Sequence, residues 1–125
     1  DPSALAGVAR ALPALMRAEK LQKRAARTGF DWPDAGGARA KIVEELAEIE
    51  DAPGHAARTE EVGDLLFSVV NYARKLGIEP EEALRAANAK FERRFREIEA
   101  AGGSGFAALP LDAKERLWTA AKREA

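Results

Sequence analysis

The chain has no cysteine, which excludes disulfides and any thiolate metal site. It has a single histidine, His55, set in a connector, so no Ser/His or Cys/His nucleophilic arrangement is available. Aromatic residues make up only 6% of the chain, and no segment alternates with period two over a useful length, which argues against a sheet. No apolar run approaches the roughly 18 residues of a membrane span, and no signal peptide is visible. Neither sign of charge dominates. Lys and Arg total 20 against 21 Asp and Glu, so the balance predicts neither nucleic acid nor an anionic membrane as partner. Internal repeats and low-complexity tails are also lacking. These absences leave a soluble, cytoplasmic domain as the expectation, with 125 residues sufficing for one sizeable core. The chain opens on Asp1 rather than methionine, as a piece of something longer would.

What is present is alanine in abundance and 33% charged residues, a helical composition. The punctuation predicts five helices. The first runs from about Pro13 to Thr28 and stops at Gly29; the turn-rich "GFDWPDAGG" follows. The second spans about Ala38 to Ala52, up to "PGH". The third spans about Ala57 to Leu76, with Gly77 just beyond. Pro80 opens the fourth, which reaches about Ala100 and ends at "GGSG", read as a flexible link. The last fits Leu111 to Arg123 with Asp112 as cap. Apolar residues recur at helical spacing: Ile42, Leu46 and Ile49; Val62, Leu65, Leu66, Val69, Ala73 and Leu76; Leu84, Phe91, Phe95 and Ile98. The expected fold is an all-α antiparallel bundle. Helix three is so apolar over Leu65–Val70 that two of its sides need cover, and a partner subunit is one way to supply it.

In "TEEVGDLLFSVV" (Thr59–Val70), Glu61 and Asp64 lie three apart with no basic residue between Thr59 and Ala73. On a wheel at roughly 100° per residue they share one flank of the apolar stripe. Glu45 and Glu48 do the same on helix two, while Glu44 points further toward solvent. If the two helices form a hairpin, Glu45-x-x-Glu48 faces Glu61-x-x-Asp64, and four converging carboxylates raise one another's pKa values. A bound divalent cation resolves the conflict. With only oxygen donors at hand, Mg²⁺ or Mn²⁺ suits the site, and a di-iron centre, which needs Glu-x-x-His pairs, does not. The plainer alternative is a pair of solvated faces, with Lys41 neutralising Glu45 at i, i+4.

Mg²⁺ held by carboxylates usually completes its shell with water and phosphate oxygens, so cations for an anionic substrate should be nearby. Lys90 and Arg94 sit at i, i+4 on helix four, and Trp118 and Lys122 at the same spacing on helix five. Asn88 falls in line with Leu84, Phe91 and Phe95, a polar group on an apolar face. The basic side of helix one (Arg17, Lys20, Arg24, Arg27), followed by Phe30 and Trp32, reads as a solvated face ahead of an anion groove. "GGSG" follows a helix and lacks the lysine of a phosphate loop.

Taken together, "KIVEELAEIEDA" and "EEVGDLLFSVVNYARKLGIEPEEALRAANAKFERRFREIE" resemble the MazG nucleoside triphosphate pyrophosphohydrolases, whose pattern is E-E-x-x-E, a spacer, then E-x-x-D. "ALPALMRAEKLQKRAARTGFDWPD" and "LWTAAK" are similar to the same family's C-terminal catalytic domain. The likeness covers about Leu12 to Lys122 and implies one domain over residues 1–125. It implies an all-α fold intertwined in a homodimer, hydrolysing nucleoside triphosphates to monophosphate and pyrophosphate with Mg²⁺. Carried over, Glu45, Glu48, Glu61 and Asp64 are the metal ligands and catalytic acids. Lys41, Asn88, Lys90, Arg94, Trp118 and Lys122 are the expected substrate contacts. Glu45 or Glu48 would orient the attacking water, and Lys90, Arg94 and Lys122 would offset charge on the departing pyrophosphate. One departure is that several members carry two such domains in tandem and this chain carries one. Base-selective relatives (dUTPase, dCTPase or phosphoribosyl-ATP hydrolases) share the acidic pattern. A helical dimerisation module with a vestigial site is the non-enzymatic alternative. Base preference, and the choice between clearing aberrant nucleotides and lowering a signalling nucleotide, stay open.

Overall fold

The structure is a computed structural model and describes residues 1–124. Among them there are five α-helices and no strand: α1 (Ala14–Ala26), α2 (Ala35–Asp51), α3 (His55–Lys75), α4 (Pro80–Gly102) and α5 (Leu111–Glu124). A 3₁₀ segment, Gly103–Ala108, lies between the last two. The all-α expectation holds. Among the described residues, no helix is long and apolar enough to cross a membrane.

The helix ends follow local chemistry. Gly29 (φ 92°) and Gly77 (φ 75°) both take the left-handed conformation that a Cβ disfavours. At Gly77 the amide donates to the Arg74 carbonyl (3.0 Å) and the Ile78 amide to Ala73 (2.9 Å), the paired bonds of a Schellman motif. Pro80 occupies the first position of α4, where its missing N–H costs nothing.

Four expectations need correction. Helix α2 begins three residues earlier than Ala38, because Asp34 Oδ1 accepts from the Gly36 amide at 2.8 Å and caps it there. Gly36 and Gly37 therefore belong to the first turn, and Gly37 lies under the Trp32 ring, where an added Cβ would come within 3.1 Å. His55 is the first residue of α3 rather than part of the connector, since the extended Gly54 precedes it directly. "GGSG" is no free link, because it starts the 3₁₀ segment, and Asp112 sits inside α5's first turn rather than capping it.

The chain divides into two compact units, Asp1–Ala83 and Leu84–Ala125. In the first, α2 and α3 form a tightly packed hairpin and α1 lies against α3. Ala38 and Val70 are its fully buried apolar residues, while Glu19, Gln22, Glu45 and Ser68 are buried polar ones. Burial of that many polar groups beside so few apolar ones is unusual for a core and suits a site better. One side of α3 is covered by its neighbours. The other leaves Val62, Leu66 and Val69 between 40% and 53% exposed, an uncovered stripe at helical spacing. In the second unit the ring of Phe91 packs on Phe95 (5.8 Å) and Trp118 (5.5 Å), and Phe95 meets Phe106 edge-on at 5.7 Å. Ile98 and Ala121 are buried there.

Candidate active site

The α2–α3 hairpin brings the two acidic pairs together. Glu45, Glu61 and Asp64 each offer a carboxylate oxygen, and these lie within 4.8 Å of one another. Glu48 lies close enough to Glu61 and Glu45 for those two acids to dominate its titration. Glu45 is 3% exposed, Glu61 half-buried and Asp64 exposed, so the cluster grades from the interior to a solvent-facing mouth. The four helical positions put these side chains on one flank of each apolar stripe, as the spacing requires.

Electrostatically the cluster is under-compensated. Among the described residues, the ion pair that reaches it is Lys41 Nζ to Glu45 Oε1 at 3.3 Å, and Lys41 also holds Glu44 at 3.2 Å. Those contacts, Glu44's first, raise the lysine pKa. Glu61 and then Glu45 push the Glu48 carboxyl up to about 7, with burial adding to the effect. For Glu61 the bond to Glu48 acts downward, but burial and the charges of Glu45 and Asp64 outweigh it and leave it raised. Burial acts to raise Glu45, yet hydrogen bonds to Glu61, Glu48 and Lys41 together hold it below the usual glutamate value.

The donor set fits a hard divalent cation. Glu45 Oε2 and Glu61 Oε2 are fully buried and lack a hydrogen-bond partner. A buried carboxylate oxygen in that condition costs free energy that only a shared proton or a cation relieves. With all-oxygen donors from two helices, Glu45, Glu61 and Asp64 could hold a metal ion between them.

Beside the cluster, with Lys41 common to both, lies a cavity of about 580 Å³. Its apolar walls come from α1, α2 and α3 (Leu21, Ala25, Ala38, Phe67), with Phe30 and Trp32 of the connector at its edge. The connector is tied down by charge. Asp31 accepts from Arg74 at 2.6 and 3.3 Å and from Lys75 at 3.3 Å, and Lys75 also donates to the Trp32 carbonyl at 2.7 Å. Arg74 first, against an opposing burial effect, and then Lys75 draw the Asp31 carboxyl down to about 2. The sequence reading missed Asp31, Arg74, Gln22 and Asn71. Only the i, i+3 spacing of Asn71 and Arg74 beyond the apolar run of α3 could have hinted at them.

The remaining expected contacts belong to the second unit. Lys90 and Asn88 are exposed on α4. Arg94 is half-buried, with its Nε lacking a partner. On α5, Trp118 is half-buried against Phe91 and Lys122 is exposed. Of the basic side of α1, Arg24 is committed to the carbonyls of Ala4 and Ala6 (3.3 and 2.7 Å), which fastens the N-terminal segment rather than forming an anion groove.

Residues 37–98 match the MazG nucleotide pyrophosphohydrolase domain, a segment that contains all four acids. The chain belongs to the MazG family. It is 47% identical over 130 residues to the nucleoside triphosphate pyrophosphohydrolase of Escherichia coli (strain K12), covering 98% of this chain and 49% of that protein. With the Thermotoga maritima nucleoside triphosphate pyrophosphohydrolase/pyrophosphatase MazG it shares 42% identity over 114 residues, 89% of this chain and 45% of the relative. A Bacillus subtilis protein, the uncharacterized YabN, is 43% identical over 129 residues, 98% of this chain and 26% of its own length. The chain thus spans about half the length of the first two relatives and about a quarter of the third.

Proposed function

We propose that this MazG-family chain hydrolyses nucleoside triphosphates between the α and β phosphates, giving monophosphate and pyrophosphate. The observation that carries the reading is the convergence of four carboxylates with two buried, unpartnered oxygens and a single lysine against them. A structural cluster would be neutralised by the protein; this one leaves charge to be met by ligands. Its relatives from E. coli and T. maritima are named as nucleoside triphosphate pyrophosphohydrolases, which agrees with the reading.

Glu45, Glu48, Glu61 and Asp64 would hold Mg²⁺, with Mn²⁺ as a substitute. When bound, the ion supplies charge neutralisation and polarisation of phosphate oxygens. Glu45, kept ionised with Lys41 beside it, or Glu48 orients the attacking water. Lys41 then exchanges a carboxylate partner for a phosphate oxygen. Asn88, Lys90, Arg94, Trp118 and Lys122 would contact the nucleotide, the cations among them offsetting charge on the departing pyrophosphate. Because the family match runs from residue 37 to 98, across the division at Ala83, both units are read as one MazG domain over residues 1–125.

Association into a homodimer completes the reading. Val62, Leu66 and Val69 present an uncovered apolar stripe on a helix whose other side is already packed, and a second copy would cover it. The site of action is taken as the cytoplasm, where nucleoside triphosphates and free Mg²⁺ are held. The test is ³¹P NMR of the protein with mixed NTPs, dNTPs and Mg²⁺. Monophosphate and pyrophosphate should appear together and cease on adding EDTA. Orthophosphate with diphosphate, or no turnover, would overturn it.

A further inference from the structure

The ion pair that ties down the connector also sets a side chain on α3. Arg74 meets the Asp31 carboxylate as a fork, Nη2 to Oδ1 at 2.6 Å and Nη1 to Oδ2 at 3.3 Å, and Lys75 adds a bond at 3.3 Å. The side chains of Arg74 and Asp31 are 12% and 24% exposed, so solvent screens the pair only in part. Arg74 makes two further contacts that fastening does not require. Its Nε (3.1 Å) and Nη2 (2.7 Å) both donate to Oδ1 of Asn71, three residues back on the same helix. A guanidinium can only donate, so the Asn71 amide has one orientation, oxygen toward Arg74 and nitrogen away from it. That nitrogen has no protein partner among the described residues and keeps accessible surface, on a residue that lines the cavity beside Lys41. Nη2 serves both acceptors at once, Asp31 Oδ1 and Asn71 Oδ1, so the connector's carboxylate sets the guanidinium that sets the amide.

We infer that Asp31 is a positioning residue for hydrolysis: acting through Arg74, it holds the Asn71 amide with its N–H groups turned to the substrate. The role rests on the nucleotide-hydrolase reading, in which Lys41, a lining residue of the same cavity, links it to the acids. An asparagine free to rotate about χ2 presents oxygen or nitrogen, and the two make opposite demands on a ligand. A donor fixed before the substrate arrives loses little freedom on binding. Asp31 can hold that setting because it stays ionised at neutral pH. Arg74 first, against burial, and then Lys75 draw its carboxyl down to about 2. Fastening alone would be served by the bonds from Arg74 to Asp31 and from Lys75 to the Trp32 carbonyl. The Asn71 contacts join two residues already one turn apart on α3, so their product is an orientation.

One measurement reads the relay without substrate. In ¹H–¹⁵N spectra the Arg74 Nε–H, which bonds Asn71 and not Asp31, should be protected from hydrogen exchange in the wild type. Asp31→Ala should lower that protection by about tenfold, and Asp31→Glu, which keeps the charge, should retain it. An Arg74 Nε–H that exchanges freely in the wild type, or protection unchanged in Asp31→Ala, would overturn the inference whatever the chain hydrolyses. A second measurement follows pyrophosphate release from ATP, GTP, CTP and UTP in turn, with Mg²⁺, in Asp31→Ala, Asn71→Ala and the double variant. Each single variant should lose about tenfold in kcat/KM, mainly through KM, and the double variant should lose no more than either alone. Losses that multiply in the double variant, or a kcat/KM unchanged in Asp31→Ala, would reduce Asp31 to a fastener while leaving the hydrolase reading intact. No turnover of any of the four by the wild type would remove the hydrolase reading, and the positioning role with it.

Discussion

Magnesium binding should expel protons, in a number that Glu48 sets. In the metal-free protein Glu61 and Glu45 hold the Glu48 carboxyl at about 7, against 4.5 for an unperturbed glutamate. A carboxylate ligand must be deprotonated, so binding drives off whatever proton Glu48 retains. For a midpoint near 7 that is about 0.9 proton at pH 6, about 0.5 at pH 7 and about 0.1 at pH 8. Integrated over that interval, Glu48 alone strengthens apparent Mg²⁺ binding by about tenfold between pH 6 and pH 8. Glu61, also raised, adds in the same direction, while the lowered Glu45 adds nothing there. Titration calorimetry with Mg²⁺ at pH 7, in two buffers of different ionisation enthalpy, counts the protons directly. Glu48→Gln should remove most of them. Buffer-independent heats in the wild type, or undiminished release in the variant, would refute the reasoning. Metal-free stability runs the opposite way. An acid whose pKa is raised by folding contributes stability below its unfolded value of 4.5, and loses it as pH rises through about 7. Metal-free protein should therefore melt lower at pH 8 than at pH 6, with Mg²⁺ closing the gap.

Asp64→Asn should abolish metal-dependent pyrophosphate release while circular dichroism keeps its helical signal, because Asp64 is exposed and its neighbours on α3 already pack; retained turnover would remove it from the ligand set. Asp31→Asn should cost about 1–2 kcal/mol at pH 7, the linkage from 3.8 to about 2 reduced for partial solvent exposure, and lower the melting midpoint by several degrees. That loss should be full above pH 3.8 and vanish as pH falls through about 2, since the folded pKa is the depressed one; a pH-independent difference between the two proteins would deny the ion-pair origin. Leu66→Glu puts a charge into the uncovered stripe of α3, so light scattering should show a dimer for the wild type and a monomer for the variant, and equal masses would move the interface elsewhere.

The acids were legible because their positions depend on one local rule. Two residues three apart share a helix face wherever the helix ends, so Glu45, Glu48, Glu61 and Asp64 converge once α2 and α3 fold into a hairpin. Their mutual effect was only half legible. Repulsion raises Glu48 and Glu61 as expected, but Lys41 and the bonds to its neighbours hold Glu45 down. Lys41 was read both as a neutraliser of Glu45 and as a phosphate contact, and its place between acids and cavity is consistent with both. The cavity was not legible, because it is built from non-local pairs. Gln22 meets Phe67 across 45 positions and Asp31 meets Arg74 across 43, and no periodicity announces such partners. The start of α2 was misplaced for a different reason. Two consecutive glycines are poor helix formers, but the Asp34 cap and the close approach of Trp32 to Gly37 override that preference.

The buried acid oxygens and the exposed stripe of α3 are deficits of the same kind. Each is a group the isolated chain cannot satisfy: carboxylate oxygens without a donor in one case, apolar side chains without cover in the other. Both occur on α3, with Glu61 and Asp64 on one flank of the helix and Val62, Leu66 and Val69 beside them. A ligand that binds only the folded state stabilises it by RT ln(1 + [L]/Kd), about 2.7 kcal/mol at a hundredfold excess over Kd. Metal at one flank and a second copy at the other would each act this way on the same helix. Ordering of α3 by one then reduces what the other must order, so Mg²⁺ should tighten self-association and dilution should weaken Mg²⁺ binding by the same factor. Sedimentation across a concentration series, with and without Mg²⁺, measures that coupling. Identical dimer affinities in the two conditions would mean that the site and the interface are independent despite sharing a helix.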